Sequence, residues 1–288
     1  MTMSLVIGEI SYTNILPLFY YIDRERLAQM GCQFVHKVPA QLNEGMAEGT
    51  VDLGGISSFA YGNNSNDYVL LPNLSVSSPK EVGSIFLFSK YPITQLNGKS
   101  IALTSSSATS VNLLKMILQK YYQFADVHYE TAAPDFQEMM KRHDACLLIG
   151  DDAIMTSWHK PDNIHQYDLG ALWHHFTGFP MTYAVFAVRK AAWEQHPQVL
   201  AELYHQLLHS KNTSLVNQYE EMIASIRLQL GGTKTFWKQY FSGLNHDLTE
   251  RHLEGLRHYF DTAFELGFLL NKVEKMTLWS PTKHCHSV

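Results

Sequence analysis

The stretches SLVIGEISYTNILPL at residues 4–18 and SIALTSSSATSVNLL at residues 100–114 lie over one another without a gap, each reading as an apolar strand, a polar loop and an apolar helix. In the second copy the β-branched, apolar run ending at Thr104 fits a buried strand, and Val111, Leu114, Ile117 and Leu118 recur at helical spacing. Both copies then continue alike. Second strands are predicted over 33–37 (QFVHK) and 127–131 (VHYET). Helices follow over Ala40–Glu48, between Pro39 and Gly49, and over Asp135–Arg142, capped by Asp135. Third strands, VDLGG at 51–55 and ACLLI at 145–149, end in polar turns at Ser57-Ser58 and Gly150-Asp151-Asp152. Two βαβαβ units in succession predict two open α/β lobes. Identity between the copies is low, so the reading is of repeated architecture.

The loop of the second copy carries the clearest chemistry. Ser105, Ser106, Ser107, Thr109 and Ser110 place five hydroxyls within six residues at a helix entrance. Helix N-termini leave backbone N–H groups unpaired and carry the positive end of the helix dipole, so such a loop can receive a carboxylate or phosphate. One Ser would suffice as a cap. In the first copy Asn14 reads as the N-cap of a helix with Pro17 in its first turn, and it also lies where a strand end meets the crevice in which open α/β sheets hold ligands. Asp151 and Asp152 can act as a carboxylate pair or as caps.

Between the copies, Tyr61–Asp67 reads as a turn-rich loop, Tyr68–Leu71 and Gly83–Ser89 as strands, and Lys90-Tyr91-Pro92 as a break. Ser84 sits on a strand approaching the cleft from the other side. Thr177-Gly178-Phe179-Pro180 forms a tight turn before a return strand, Tyr183–Val188, and helical patterning fills the remainder. The expected division is a first lobe from 1–90, a second from 91–187, and a return segment from 188–288 whose helices pack back on the first lobe. The crossings near Lys90 and Val188 would then be hinges about which the lobes close on a ligand.

Composition narrows the function classes. The net charge of -5 and the lack of a Lys/Arg stripe argue against a nucleic-acid partner. No apolar run reaches the roughly 18 residues of a membrane span, and the N-terminus lacks the pattern of a secretory signal, so a cytoplasmic, membrane-free protein is expected. Cys32 and Cys146, in or beside predicted strands, are expected to be buried free thiols. No phosphate-loop, dinucleotide-binding or nucleophile-elbow signature occurs. No metal site is expected: zinc-type spacings are missing, and His284-Cys285-His286 sits at the end of the chain.

The order and spacing of several motifs resemble the chorismate dehydratases of the futalosine route to menaquinone. The matching stretches are Gly8–Asn14 with Pro17, VDLGGISSFAY (51–61), LLPNLSVSS (70–78), VGSIFLFS (82–89), SSSATSVNLLK (105–115), LLIGDDA (147–153), and YDLGALW with TGFP (between 167 and 180). They cover most of residues 4–190, whereas the helical tail matches only in character. Met181-Thr182 departs from the apolar or aromatic pair expected there.

The resemblance implies a type II periplasmic-binding-protein-like fold, each lobe an open mixed sheet flanked by helices, with the ligand cleft between them. It also implies a lyase that dehydrates chorismate to 3-[(1-carboxyvinyl)oxy]benzoate without a cofactor. Ser57, Ser84, Ser106, Ser107, Thr109, Ser110, Gly150 and Thr177 are the expected substrate-binding positions, and Asn14 and Asp151 the catalytic ones. No matching motif holds an obvious strong base. The expected proton acceptor is therefore the substrate's own enolpyruvyl carboxylate, with Asn14 orienting that side chain or the leaving hydroxyl, and with Asp151 as the alternative base. A sister lyase forming 1,4-dihydroxy-6-naphthoate and a non-catalytic carboxylate-binding protein are the competing functions.

Overall fold

The computed structural model describes residues 4–280 and 286–287. Its strands are β1 (Leu5–Ile10), β2 (Cys32–Lys37), β3 (Leu53–Ser57), β4 (Tyr68–Ser78), β5 (Ile85–Ser89), β6 (Ser100–Thr104), β7 (His128–Ala132), β8 (Ala145–Ile149), β9 (His165–Asp168), β10 (Met181–Arg189), β11 (Thr277–Leu278) and β12 (His286–Ser287). They form a seven-stranded sheet, β12-β11-β4-β10-β3-β1-β2, and a five-stranded sheet, β7-β6-β8-β5-β9. His284 and Cys285 lie outside the described residues.

The repeat is realised strand for strand. β1 runs parallel between β2 and β3, as β6 runs parallel between β7 and β8. Next to each triplet lies one antiparallel strand, β10 against β3 and β5 against β8. These are the strands by which the chain enters a new sheet. Ile85–Ser89 therefore belongs to the five-stranded sheet and Met181–Arg189 to the seven-stranded one. The chain changes sheet at 79–84 and 178–180, one strand earlier than the breaks near Lys90 and Val188.

Both-face burial explains why the inner strands β5, β8 and β10 are apolar almost throughout. In β8, Ala145, Leu147 and Ile149 join the main core while Cys146 and Leu148 face a second cluster that includes Phe86, Phe88, Met139 and Met140. A period of two sends alternate residues to opposite layers, and helices cover both. Cys32 and Cys146 are buried and unpaired, and burial pushes the Cys146 thiol up to about 12.

Three local expectations are corrected. β4 does not stop at Leu71: Pro72 and Asn73, the latter at φ 58°, form a bulge, after which buried Leu74 and Val76 carry the strand to Ser78. Ser58–Asn63 is a helix capped by Ser57, which leaves only 64–67 as a turn. Asn14 is not a cap but the middle of a 3-10 turn, Thr13–Ile15, that leads into the helix Leu16–Phe19.

The helical tail packs on both halves. Helix Pro197–Val216 lies against Leu16–Phe19 and β4, while Glu250–Glu265 touches β10 and the helix Ala108–Met116 of the second half. Phe236 and Trp237, on helix Lys234–Gly243, meet Trp158 edge-on at 5.0 and 6.0 Å. The first crossing is held by Asp168, which caps helix Leu169–Thr177 at Ala171 and accepts from the N–H groups of Val82 and Gly83.

Gly170 lies beneath that crossing. A β-carbon there would collide with the Lys80 carbonyl and approach the Tyr183 hydroxyl to 2.6 Å. Gly170→Ala is expected to lower folding stability by about 1–3 kcal/mol, the usual cost of overpacking. Urea denaturation checks this, and wild-type stability would show that the crossing yields freely.

Candidate functional site

Parallel strands in one sheet end on the same side, and the chain leaves each through a turn into a helix. The ends of β1, β3, β6 and β8 thus bring four turns together on one cavity of about 460 Å³, counting its open mouth. The seven-stranded half contributes Ile10, Tyr12, Asn14, Pro39, Ser57, Val76, Tyr183 and Ala184. Ile85, Ser107, Ser110, Ile149 and Gly150 come from the other half. Among the described residues this lining contains no Lys, Arg, Asp or Glu side chain. Its polar character comes from hydroxyls, one amide and helix N-termini.

Two of those N-termini border the cavity from the five-stranded half, after the neighbouring parallel strands β6 and β8. Ser107 caps helix Ala108–Met116, its Oγ accepting from the Ser110 N–H at 3.1 Å. That bond leaves the Ser107 hydroxyl proton available to a ligand oxygen. Helix Gly150–His159 begins at Ile149 without a side-chain cap. Gly150 has φ +61°, and a β-carbon on it would lie 2.8 Å from the Tyr12 ring, so the Tyr12 ring packs directly on this backbone. Ser57 caps the third helix and is anchored by Asn43, which donates to its hydroxyl and accepts from its N–H. The Asn14 side-chain oxygen is buried without a hydrogen-bond partner. A buried amide oxygen left open costs free energy unless a ligand completes it.

Of the sequence-predicted positions, Asn14, Ser57, Ser107, Ser110 and Gly150 meet at the cavity. The rest do not line it. Ser106 is buried beside the Tyr12 hydroxyl. Ser84 lies one layer behind, its carbonyl accepting from the Gly150 N–H at 2.7 Å. The Thr109 hydroxyl is engaged in joining the halves: it accepts from the Phe59 N–H and donates to the Tyr183 carbonyl, both at 3.1 Å. The Thr177 hydroxyl donates to the Trp173 carbonyl and accepts from the Phe179 N–H at the far end of its helix.

Asp151 faces Thr13 across the cleft. Its carboxylate accepts the Thr13 hydroxyl at 2.6 Å and the Thr13 N–H at 3.2 Å. Burial pushes this carboxyl up to about 6, with the Thr13 bonds opposing the shift. Asp152, beside the Tyr12 phenol, is also raised by burial. Sequence reasoning missed the walls of the cavity. Tyr12 and Val76 stood in matching motifs but had no assigned role, and Tyr183 gave only a strand signal. His246, whose Nε2–H donates to the Asn14 carbonyl at 2.7 Å, lies in the tail and carried no signal.

Two α/β halves joined by paired crossings, with a hydroxyl-lined cleft at their strand ends, define the periplasmic-binding-protein-like class. Solved structures agree on the fold. A protein from Archaeoglobus fulgidus superposes with a TM-score of 0.71 at 16% identity, covering 92% of this chain and 98% of its own. The periplasmic aliphatic sulphonate binding protein of Escherichia coli gives 0.70 at 14% identity, with 98% and 93% covered. The family model described as menaquinone biosynthesis matches residues 5–265, and the chain belongs to that family. It is 30% identical to a chorismate dehydratase of Thermus thermophilus over 88% of this chain and 93% of the relative. A chorismate dehydratase of Campylobacter jejuni is 26% identical over 66% and 71%.

The Asp151 carboxyl yields a pH prediction. The fold binds its proton more tightly than the unfolded chain does, because about 6 exceeds the ordinary 3.8. Its stabilising contribution is therefore fully present below about pH 4 and is lost as pH rises through about 6. The stability difference between wild type and Asp151→Asn should shift against the wild type over that window. Urea titrations across about pH 4 to 7 test this, and a constant difference would refute the raised value.

Proposed function

We propose that this protein is a chorismate dehydratase, forming 3-[(1-carboxyvinyl)oxy]benzoate and water in the cytoplasm, on the futalosine route to menaquinone. The observation that carries the reading is the hydroxyl- and amide-lined cleft, in a chain that matches a chorismate dehydratase over nearly its whole length. The cleft's chemistry suits the substrate: two carboxylates for the helix N-termini, a ring for the apolar walls and a hydroxyl for Asn14.

The reaction breaks the C3–H bond and then the C4–O bond. The electron pair left at C3 delocalises through the ring diene onto the ring carboxylate, and departure of the C4 hydroxyl makes the ring aromatic. Ser107 and the first N–H groups of helix Ala108–Met116 hold that carboxylate as its charge develops, which is stabilisation by preorganised dipoles. The enolpyruvyl carboxylate takes the C3 proton and delivers it to the leaving hydroxyl, so water departs and the carboxylate is regenerated. Asn14 accepts a hydrogen bond from the C4 hydroxyl and fixes it for departure. Asp151, occupied by Thr13, serves as a strut between the halves in this scheme.

Chorismate consumption followed in the ultraviolet, with identification of the product, is expected to show dehydration; no turnover, or a different product, would reject the assignment. Ser107→Ala should lose about tenfold to hundredfold in kcat/KM, the equivalent of roughly 1.5–3 kcal/mol for a charge-assisted bond. Its loss in stability should be about 1 kcal/mol, that of a helix cap. Thr109→Ala should show the reverse ranking, a lower melting temperature with near-normal turnover once folded. Equal kinetic losses in both variants would place Thr109 on the substrate.

A further inference from the structure

We propose that His246 is the positioning residue that aims the Asn14 amide into the cleft, acting through the Asn14 backbone carbonyl. The inference rests on the reading that Asn14 handles the substrate. The 3-10 turn carrying Asn14 has little internal support, for Tyr12 gives it no side-chain cap and the Ile15 N–H reaches the Tyr12 carbonyl only at 3.5 Å. External groups hold it instead, one residue at a time. Thr13 is fixed by Asp151, Asn14 by the imidazole of His246, and the Pro17 carbonyl by the hydroxyls of Ser210 and Ser214 at 3.0 and 3.1 Å.

His246 can do this because its own place is over-determined. Asn245 pairs in both directions with the backbone of Ser77, the Ser75 N–H donates to the His246 carbonyl, and the Ser75 hydroxyl donates to the Asp247 carbonyl at 2.6 Å. The Asn245 amide closes the set on the Ser77 hydroxyl and the Asp247 carbonyl, and Lys211 pairs with the Asp247 carboxylate. The serines of LLPNLSVSS, on β4, thus clamp a three-residue segment of the tail that projects one buried imidazole onto the active turn. Burial holds that imidazole down to about 4, which keeps it neutral with its Nε2 proton committed to the carbonyl. Loss of this strut would let the turn shift, and a displacement of about 1 Å in a positioning group costs on the order of 100-fold in rate.

The test compares His246→Leu, which fills the space without a donor, with His246→Gln, whose amide can reach the same carbonyl. In protein labelled with 15N at asparagine, the side-chain amide pair of Asn14, identified by its loss in Asn14→Ala, should shift or broaden in His246→Leu and return in His246→Gln. With chorismate, kcat should fall about tenfold to hundredfold in His246→Leu with KM within about twofold, and His246→Gln should regain most of it. If His246→Leu does not fold, His246→Asn, too short to reach the carbonyl, replaces it. An Asn14 resonance and kcat both unchanged in the folded variant, or no recovery in His246→Gln, would overturn the assignment. The resonance change without any wild-type chorismate turnover would uphold the strut and reject the dehydratase reading.

Discussion

The cleft depends on parallel pairing at two places, β1 beside β3 and β6 beside β8. Parallel neighbours end on the same side of a sheet, so the turns leaving them fall together and the helices that follow start with their N–H groups aimed at one space. A one-residue shift in either register would send alternate side chains to the opposite buried layer, where close packing leaves no matching space for them. The burial of Ile7, Leu53, Ile101 and Leu147 on these four strands holds the register and so holds the site.

Recognition of a dianion by such a cleft needs no basic side chain. Helix N-termini and hydroxyls supply partial charges whose direction is set by the fold, and they stay oriented while charge moves within the bound molecule. The ionisable groups nearby serve the walls. Asp151 ties the turn after β1 to the helix after β8, and the Tyr12 ring closes over Gly150. Thr109 extends the pattern, since its hydroxyl and carbonyl join three elements, Phe59, Tyr183 and Tyr259.

The helical tail has a larger part than covering one sheet. Glu250–Glu265 lies on both halves, Trp237 meets Trp158, and the hydroxyls of Ser210 and Ser214 hold the carbonyl of Pro17. An enzyme that must exclude water from a reacting ring gains from such fastening. Segments distant in the chain thereby set the stiffness of a turn near its start.

The sequence by itself determined the repeated strand–turn–helix plan, because side-chain periodicity and capping are local properties, and ACLLI at 145–149 and Asp135 as a cap are found where they were read. It also determined which turns face the cleft, since that follows from strand direction, so Asn14, Ser57, Ser107, Ser110 and Gly150 were legible. Only the tertiary structure decided which hydroxyls remain open. Ser107 and Thr109 are alike in composition and neighbourhood, yet one caps a helix at the cavity and the other is taken up by two backbone groups from the opposite half. Strand membership after a crossing was equally hidden, because β5 and β10 carry the same both-face apolar pattern whichever sheet accepts them. Partners that act through a backbone carbonyl, as His246 does on Asn14, leave no mark on the sequence, for any residue at position 14 would offer the same acceptor.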